Sequence, residues 1–537
     1  MRLDKKGLED KGQWEKAGYQ LPQFDRETVI AATREQPFWI HFGAGNIFRA
    51  FQANIVQKLL NAGVLDRGLV VAEGFDYEII EKMNRPHDDY SILVTLKADG
   101  SIEKTVVGSV AESCILDSGN DVEYERLKEI FRKDSLQMVS FTITEKGYSL
   151  VNGAGDILPA AAADFAEGPG RPVSYMGKIA SLLYTRYLDG EKPIAMVSMD
   201  NCSHNGDRLY EAIHQFAEKW TENGKAEEGF LAYIGSREKV SFPWTMIDKI
   251  TPRPDASVEE YLKKDGIAQL EPVITSRNTY VAPFVNAEEC EYLVIEDMFP
   301  NGRPALEQGG VMFTDRETVE KVEKMKVCTC LNPLHTALAV YGCLLGYVKI
   351  SDEMKDEQLK RLIEIIGYDE GLPVVVNPGI LDPKAFIDTV LNVRIPNPFM
   401  PDTPQRIATD TSQKLAIRFG ETIKAYRNSD QLSTADLKMI PLVFAGWLRY
   451  LMAVDDSGNT FELSPDPLLD AVCPYVADFT LGNVRDAESR LKPILENDKI
   501  FGVNLYDVGM AELVCGYFEE LTAGPGAVRA VLEKYAV

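Results

Sequence analysis

The stretch PFWIHFGAGNIFRAFQANIVQKLLNAGVLDRGLVVAEGF (37–75) decides the fold. PFWIHF (37–42) is a short apolar run of strand type. IFRAFQANIVQKLLNAG (47–63) repeats apolar residues near every third and fourth position, and GLVVAEGF (68–75) is a second strand. Strand, helix and strand in that order make a βαβ unit, which predicts an α/β sheet with helices on its faces. Gly43 and Gly45 follow the first strand and precede the helix. Without side chains they let the backbone approach a pyrophosphate, while the free amides of the helix N-terminus attract its charge. Asn46, Ile47 and Phe48 open that helix and complete the candidate dinucleotide set, with Phe48 standing where the usual fingerprint has a third glycine. The second strand ends in Glu73, with Asp76 close behind, where a carboxylate would hold the adenosine ribose hydroxyls and repel a 2′-phosphate. NAD is therefore the expected cofactor. A plain strand-to-helix turn with solvated loop acids is the alternative.

Outward from this unit the rhythm continues. LQMVSFTIT (136–144) and PIAMVSMD (193–200) read as buried strands around the helical YMGKIASLLYTRYL (175–188). YSILVTLKADGSIEKTVVGSV (90–110) reads as an inserted hairpin turning at Ala98-Asp99-Gly100-Ser101, and Gly153 to Gly170 as a surface loop. After about residue 314 long helical patterns take over. The expected architecture is a Rossmann-like domain over 1–313 followed by a mainly α-helical domain over 314–537.

Across 537 residues, 57 Lys and Arg face 82 Asp and Glu, a formal charge of −25. Such a surface repels phosphate backbones and anionic lipid, which argues against nucleic-acid and membrane partners. An anionic substrate would then need basic residues concentrated in its pocket. No stretch approaches the ~20 apolar residues of a membrane span, and the start has no signal-peptide core, so a cytoplasmic location is expected. The 8 cysteines lack CxxC or zinc-ribbon spacing and read as reduced, buried thiols, and only 5 histidines are present.

Four segments carry residue types suited to chemistry. SMDNCSHNGDR (198–208) follows a strand, at the sheet edge where ligands bind in α/β folds, and offers Asn201. FPWTMIDKITP (242–252) sets Asp248 and Lys249 among apolar residues, with a structural ion pair as the alternative. EKMKVCTCLNPLHTALA (323–339) is the most informative. Hydride transfer to or from a secondary alcohol carbon needs a proton carrier and donors for the oxyanion. Lys326 would be the carrier, and Asn332 and His335 the donors. In an unbroken helix Lys326 would lie about 180° around the axis from His335. Pro333 predicts a break or a one-residue bulge between them. The alternative is an exposed lysine, an N-cap asparagine and a core histidine. VRIPNPFMPDTPQRIATDTSQK (393–414) gathers Arg394, Arg406 and Lys414 in a polar loop, as an anion or polyhydroxyl site or as structural salt bridges.

Together these segments resemble the long-chain polyol-specific dehydrogenases, a family that includes mannitol 2-dehydrogenase and the hexuronate reductases. The resemblance rests on HFGAGNIFRAFQ (41–52), TITEKGY (142–148), SMDNCSHNGD (198–207), FPWTMIDKITP (242–252), YLVIEDMFPNGRP (292–304), EKMKVCTCLNPLH (323–335) and RIPNPFMPDTPQRIATDTSQK (394–414), in the family's order. It implies a Rossmann-like domain joined to a helical one, with a metal-independent site in the cleft between them. It makes Lys326 the catalytic lysine, Asn201 and Asn332 the oxyanion-stabilising amides and His335 the substrate-orienting imidazole. Glu323 falls on a glutamate that helps proton exchange, Asp248 on an active-site aspartate, and Arg406 and Lys414 on residues that hold the sugar chain. The chain departs from the pattern in three places: five residues, not four, separate Lys326 from Asn332, Lys249 stands where arginine is usual, and Pro333 follows Asn332.

The implied activity is NAD-dependent reduction of a keto-sugar acid, D-fructuronate to D-mannonate. Reduction of tagaturonate or of an uncharged ketose is the alternative within the class, and an inactive NAD- or sugar-binding protein the alternative outside it. A small-molecule substrate and a monomer or weak homodimer are expected.

Overall fold

Trp39–Phe42 (β1) lies in the middle of a six-stranded sheet in which every neighbouring pair is parallel. Further strands of this unit, besides the two-residue strands Tyr19–Gln20, Val273–Ile274 and Tyr280–Val281, are Leu69–Glu73 (β2), Ser91–Leu96 (β3), Ile102–Val107 (β4), Val110–Ile115 (β5), Met138–Phe141 (β6), Ile194–Ser198 (β7), Val240–Ser241 (β8), Thr245–Asp248 (β9), Phe284–Glu288 (β10), Tyr292–Glu296 (β11) and Met312–Thr314 (β12). The sheet runs β5-β2-β1-β6-β7-β8. Its inner strands are buried throughout, which is why they read as unbroken apolar runs. Their side chains alternate between two cores. Ile40, Phe42, Val70, Ala72, Val139 and Phe141 pack with Asp121–Arg132 (α2), Tyr175–Leu188 (α3) and Asn205–Glu222 (α4) on one face. Trp39, Val71, Met138 and Val197 pack with Ala53–Asn61 (α1) on the other.

The computed structural model describes residues 1–537. The chain divides into two units, 1–97 with 101–319 and 98–100 with 320–537. Three features of the first unit depart from the sequence reading. Val110–Ile115 is a strand that the apolar pattern missed, because an edge strand carries polar Glu112 and Ser113 and has a register shift opposite Leu69 and Val70. The β3–β4 hairpin forms as expected, but it is the middle of a second sheet, flanked by Tyr19–Gln20 and by β10. Within Gly153 to Gly170, Pro159–Glu167 is a helix rather than loop. Pro159 suits its first turn, and the buried Asp164 carboxylate accepts hydrogen bonds from the Val173 and Ser174 amides, tying the helix end to the start of α3.

The second unit is helical. The run Arg316–Met325 (α5), a π turn Lys326–Cys330 and Asn332–Leu345 (α6) lead into it. Met439–Tyr450 (α7), buried at every position, packs against α6 and Ala511–Leu521 (α8). Against the sequence expectation that no stretch approaches a membrane span, the run Arg316–Leu345 is long and apolar enough to cross one, but 78% of its most apolar window is buried inside the protein, as in a core helix.

Glu353 is the buried exception in this unit. Both carboxyl oxygens are sealed from solvent without a hydrogen-bond partner, and one lies where a Cβ on Gly342 of α6 would sit. Burial first, then nearby Asp356, pushes its pKa up to about 10. The folded pKa is raised, so the folded state favours the protonated acid. The penalty is absent below the unfolded value of 4.5 and grows as pH rises toward 10. Glu353→Met should therefore raise Tm by roughly 5 °C at pH 8 and by clearly less at pH 5 in scanning calorimetry.

Candidate active site

In the first unit the turn after β1 is shaped by its neighbours. Gly43 has φ +108°, and a Cβ there would stand 2.3 Å from the Thr142 carbonyl oxygen. Only glycine fits that position. Gly45 differs, since a Cβ there meets nothing within 4 Å. The space beside it belongs to a cavity of about 660 Å³ lined by Gly43, Gly45, Glu73, Asp76, Thr142 and Thr144 among others. That volume suits a bound cofactor, and bare backbone at a helix start suits its phosphates. Asn46 opens the helix, and its side chain accepts a hydrogen bond from Arg49, which burial holds at a pKa of about 10. Ile47 is half-buried against the core. Phe48 is fully buried and stacks on His41 at 4.5 Å, so its side chain packs the turn from behind instead of lining the cavity.

The two ribose candidates separate. Glu73 Oε1 accepts from the amides of Gly74, Phe75 and Asp76, and Oε2 from Ala44. Those bonds offset the burial that raises its pKa, and they knit the β1 turn to the loop after β2. Asp76 receives one bond from Thr275 and keeps Oδ1 buried and unpartnered at the cavity. Asp76 is thus the acid with an acceptor to spare.

The 198–208 loop is pinned at both ends. Asp200 accepts from the Ile143 and Thr144 amides and from the Tyr148 hydroxyl, which fastens the TITEKGY loop. Asn205 bonds Thr245 through both its amide nitrogen and its oxygen, which fixes the start of β9 and hence Asp248 at its end. Asn201 sits between these pins with its side chain exposed, and Asp248 is buried. Lys249 is a structural cation, held by Glu291 and the Glu288 carbonyl. His41 is structural as well: its ring bonds Ser140 and Thr142, and burial lowers its pKa to about 3.

In the second unit the helix breaks where Pro333 required it to. Over Lys326–Cys330 the chain makes a π turn closed by the Leu331 amide donating to the Lys326 carbonyl at 3.1 Å, and Leu331 leaves helical geometry at φ −131° and ψ −61°. One residue is looped into the turn, and α6 restarts at Asn332. Lys326 is 5% exposed, and Glu323 is half-buried one turn earlier. His335 follows on α6. Its Nε2 lies 3.8 Å from Asp402, and burial, then Arg394, Arg418 and Arg406, press its pKa down to about 3. It is a neutral imidazole among cations.

Those cations are held in different ways. Arg406, largely exposed, is ion-paired with Asp402. Lys414 donates to the Thr409 carbonyl and has a lowered pKa, from burial and then Arg418. Arg418 donates to Thr336, the neighbour of His335. It lies in another π turn, Ala416–Gly420, which packs against that of Lys326–Cys330. The sequence reading missed Arg418, Asp402 and Thr336. Arg418 carried a signal, a basic residue one turn beyond Lys414.

Residues 38–308 match the mannitol dehydrogenase Rossmann domain, and residues 318–521 match the mannitol dehydrogenase C-terminal domain. The chain belongs to the mannitol dehydrogenase family. Among relatives, the D-mannonate oxidoreductase of Thermotoga maritima is 52% identical over 99% of both chains. Among solved structures, a substrate-free D-sorbitol dehydrogenase superposes with TM-score 0.78 at 25% identity, covering 95% of this chain and 97% of that one. The Pseudomonas fluorescens mannitol 2-dehydrogenase ternary complex with NAD and D-mannitol gives TM-score 0.67 at 25% identity, covering 99% and 100%. The Rossmann-type α/β unit followed by a helical one is the architecture of this family.

The two glycines should behave differently on substitution. Gly45→Val leaves the melting temperature nearly unchanged but weakens dinucleotide binding by about tenfold or more, because its side chain enters the cavity and not the protein. Gly43→Ala lowers the melting temperature itself, by the clash and by its positive φ. Calorimetry paired with fluorescence titration separates the two effects.

Proposed function

We propose that this oxidoreductase is a D-mannonate oxidoreductase that reduces D-fructuronate to D-mannonate with NADH. The observation that carries the reading is the basic cluster around His335 on a chain of net charge −25, since an acidic protein has reason to gather Arg394, Arg406, Lys414 and Arg418 where its substrate is an anion. Its relative of 52% identity bears the same activity in its name. An uncharged ketose would need no such cluster.

The cavity beside Gly45, with Asp76 for the ribose, is the place for the dinucleotide. When bound, NADH supplies the hydride. The remaining work falls to the chain. In this reading Asn332 and Asn201 donate amide hydrogens to the substrate oxygen as negative charge develops on it. Lys326 Nζ hands that oxygen its proton, and Glu323 links the lysine to solvent for the proton's return. His335, whose pKa is lowered to about 3 by burial and then by Arg394, Arg418 and Arg406, orients the substrate by hydrogen bonding as a neutral imidazole. The π turn supports these assignments, because it absorbs the residue by which the Lys326 to Asn332 spacing exceeds the family pattern. No step in this mechanism uses a metal. The reading includes a cytoplasmic enzyme, monomeric or weakly dimeric, and the 8 free cysteines fit a reducing compartment.

Two measurements test this. Following NADH absorbance with D-fructuronate, D-tagaturonate and D-fructose separately should show the highest kcat/KM for fructuronate; a preference for fructose would overturn the reading. Lys326→Ala should cut kcat by about a thousandfold while leaving the NADH dissociation constant within about twofold, as expected when a general acid is removed. Activity within tenfold of wild type would take Lys326 out of the mechanism.

A further inference from the structure

We infer that Arg418 is the specificity-determining residue of the second unit, the guanidinium that receives the substrate's carboxylate beside His335. The inference rests on the keto-sugar-acid reading and names the group that selects for the acid.

Arg406 already has a carboxylate, Asp402, which also faces His335, so its charge is largely spoken for. The Lys414 amine is tied to the Thr409 carbonyl, and Asp410 and Asp466 act on it as counter-charges. Arg394 is buried at the end of the π turn Val390–Arg394. Arg418 has no acid. Its one hydrogen bond goes to the Thr336 hydroxyl, which orients the guanidinium toward the start of α6. Burial alone accounts for its depressed pKa of about 10, with no carboxylate opposing it. None of its nitrogens is among the buried atoms that lack a partner, so its unused donors face accessible space.

Once a ligand displaces water from that space, a guanidinium with one neutral partner and four N–H groups unspent is costly unless an anion completes it. The planar fork suits a carboxylate, which takes two parallel hydrogen bonds. The location fits too. Thr336 follows His335 in sequence, the π turn holding Arg418 packs on the π turn holding Lys326, and the Thr422 hydroxyl reaches the Cys328 carbonyl across the same contact. The carboxylate end of the substrate and the proton carrier are thus referred to one rigid pair of helical turns. An uncharged polyol would leave Arg418 unpaired and desolvated, which is selection by penalty as well as by attraction.

The test is binding of D-mannonate and D-mannitol to the full-length protein with saturating NADH, where both polyols are already reduced and no turnover occurs. Wild type should bind mannonate at least about thirtyfold tighter than mannitol. Arg418→Met should bring the two within about threefold, with mannitol affinity little changed. Arg418→Lys, which keeps the charge but not the fork, should fall between, and it decides the matter if the methionine variant does not fold. Equal affinities in wild type, or an undiminished mannonate preference in either variant, would overturn the assignment. Steady-state reduction of D-fructuronate by wild type is measured alongside. Its absence would refute the proposed reaction while the binding ratios still report on Arg418.

Discussion

The hydrogen bond from the Leu331 amide to the Lys326 carbonyl is the constraint on which the chemistry proposed for the second unit depends. It spans five residues instead of four and so takes one extra residue into the helix without unwinding it. Pro333 follows in the first turn of α6, where its missing amide is tolerated, and the departure from helical geometry falls at Leu331. A helix that ran straight through would turn the lysine away from the amide and imidazole that follow it. The π turn takes up the irregularity of spacing between Lys326 and Asn332, and the π turn at Ala416–Gly420 packs against it.

Carboxylate staples occur in both units, Glu370 holding the Lys438, Met439 and Ile440 amides in the second. In the first, carboxylates serve as staples: Glu73 gathers four backbone amides, Asp164 ties the end of one helix to the start of another, and Asp200 holds the 142–148 loop. Each sits where backbone donors stabilise it, and Glu73 and Asp200 thereby tie loops that line the cavity to the scaffold. In the second unit burial first, then Arg394, Arg418 and Arg406, lower the pKa of His335, whose Nε2 lies 3.8 Å from the buried Asp402. The lone buried acid of that unit without a partner, Glu353, is protonated instead.

Much of this was legible in the residues. The strands of the parallel sheet are buried on both faces, so they appear as apolar runs that need no partner to be recognised. Gly43 and Gly45, Asn332 before Pro333 and the basic residues of 394–414 each carry a local reason for their identity. Other features gave weak local signals. Val110–Ile115 has the polar content of an edge strand, and Pro159–Glu167 is an alanine-rich segment whose helix is held by contacts made from Asp164 to residues after it. Glu73 and Phe48 carried the right chemistry for a cofactor contact, yet hydrogen bonding and stacking commit them to the scaffold.

The sequence by itself determined the order of elements, the glycine turn after the first strand and the break between Lys326 and Pro333, because backbone sterics and periodicity are local properties. Only the tertiary structure decided which charges are left over. Whether an acid or a base is available for a ligand depends on which partners the fold brings to it, and those partners are far away in sequence: Thr275 for Asp76, Thr336 for Arg418. Local pattern names the candidates, and long-range packing determines which of them is free to act.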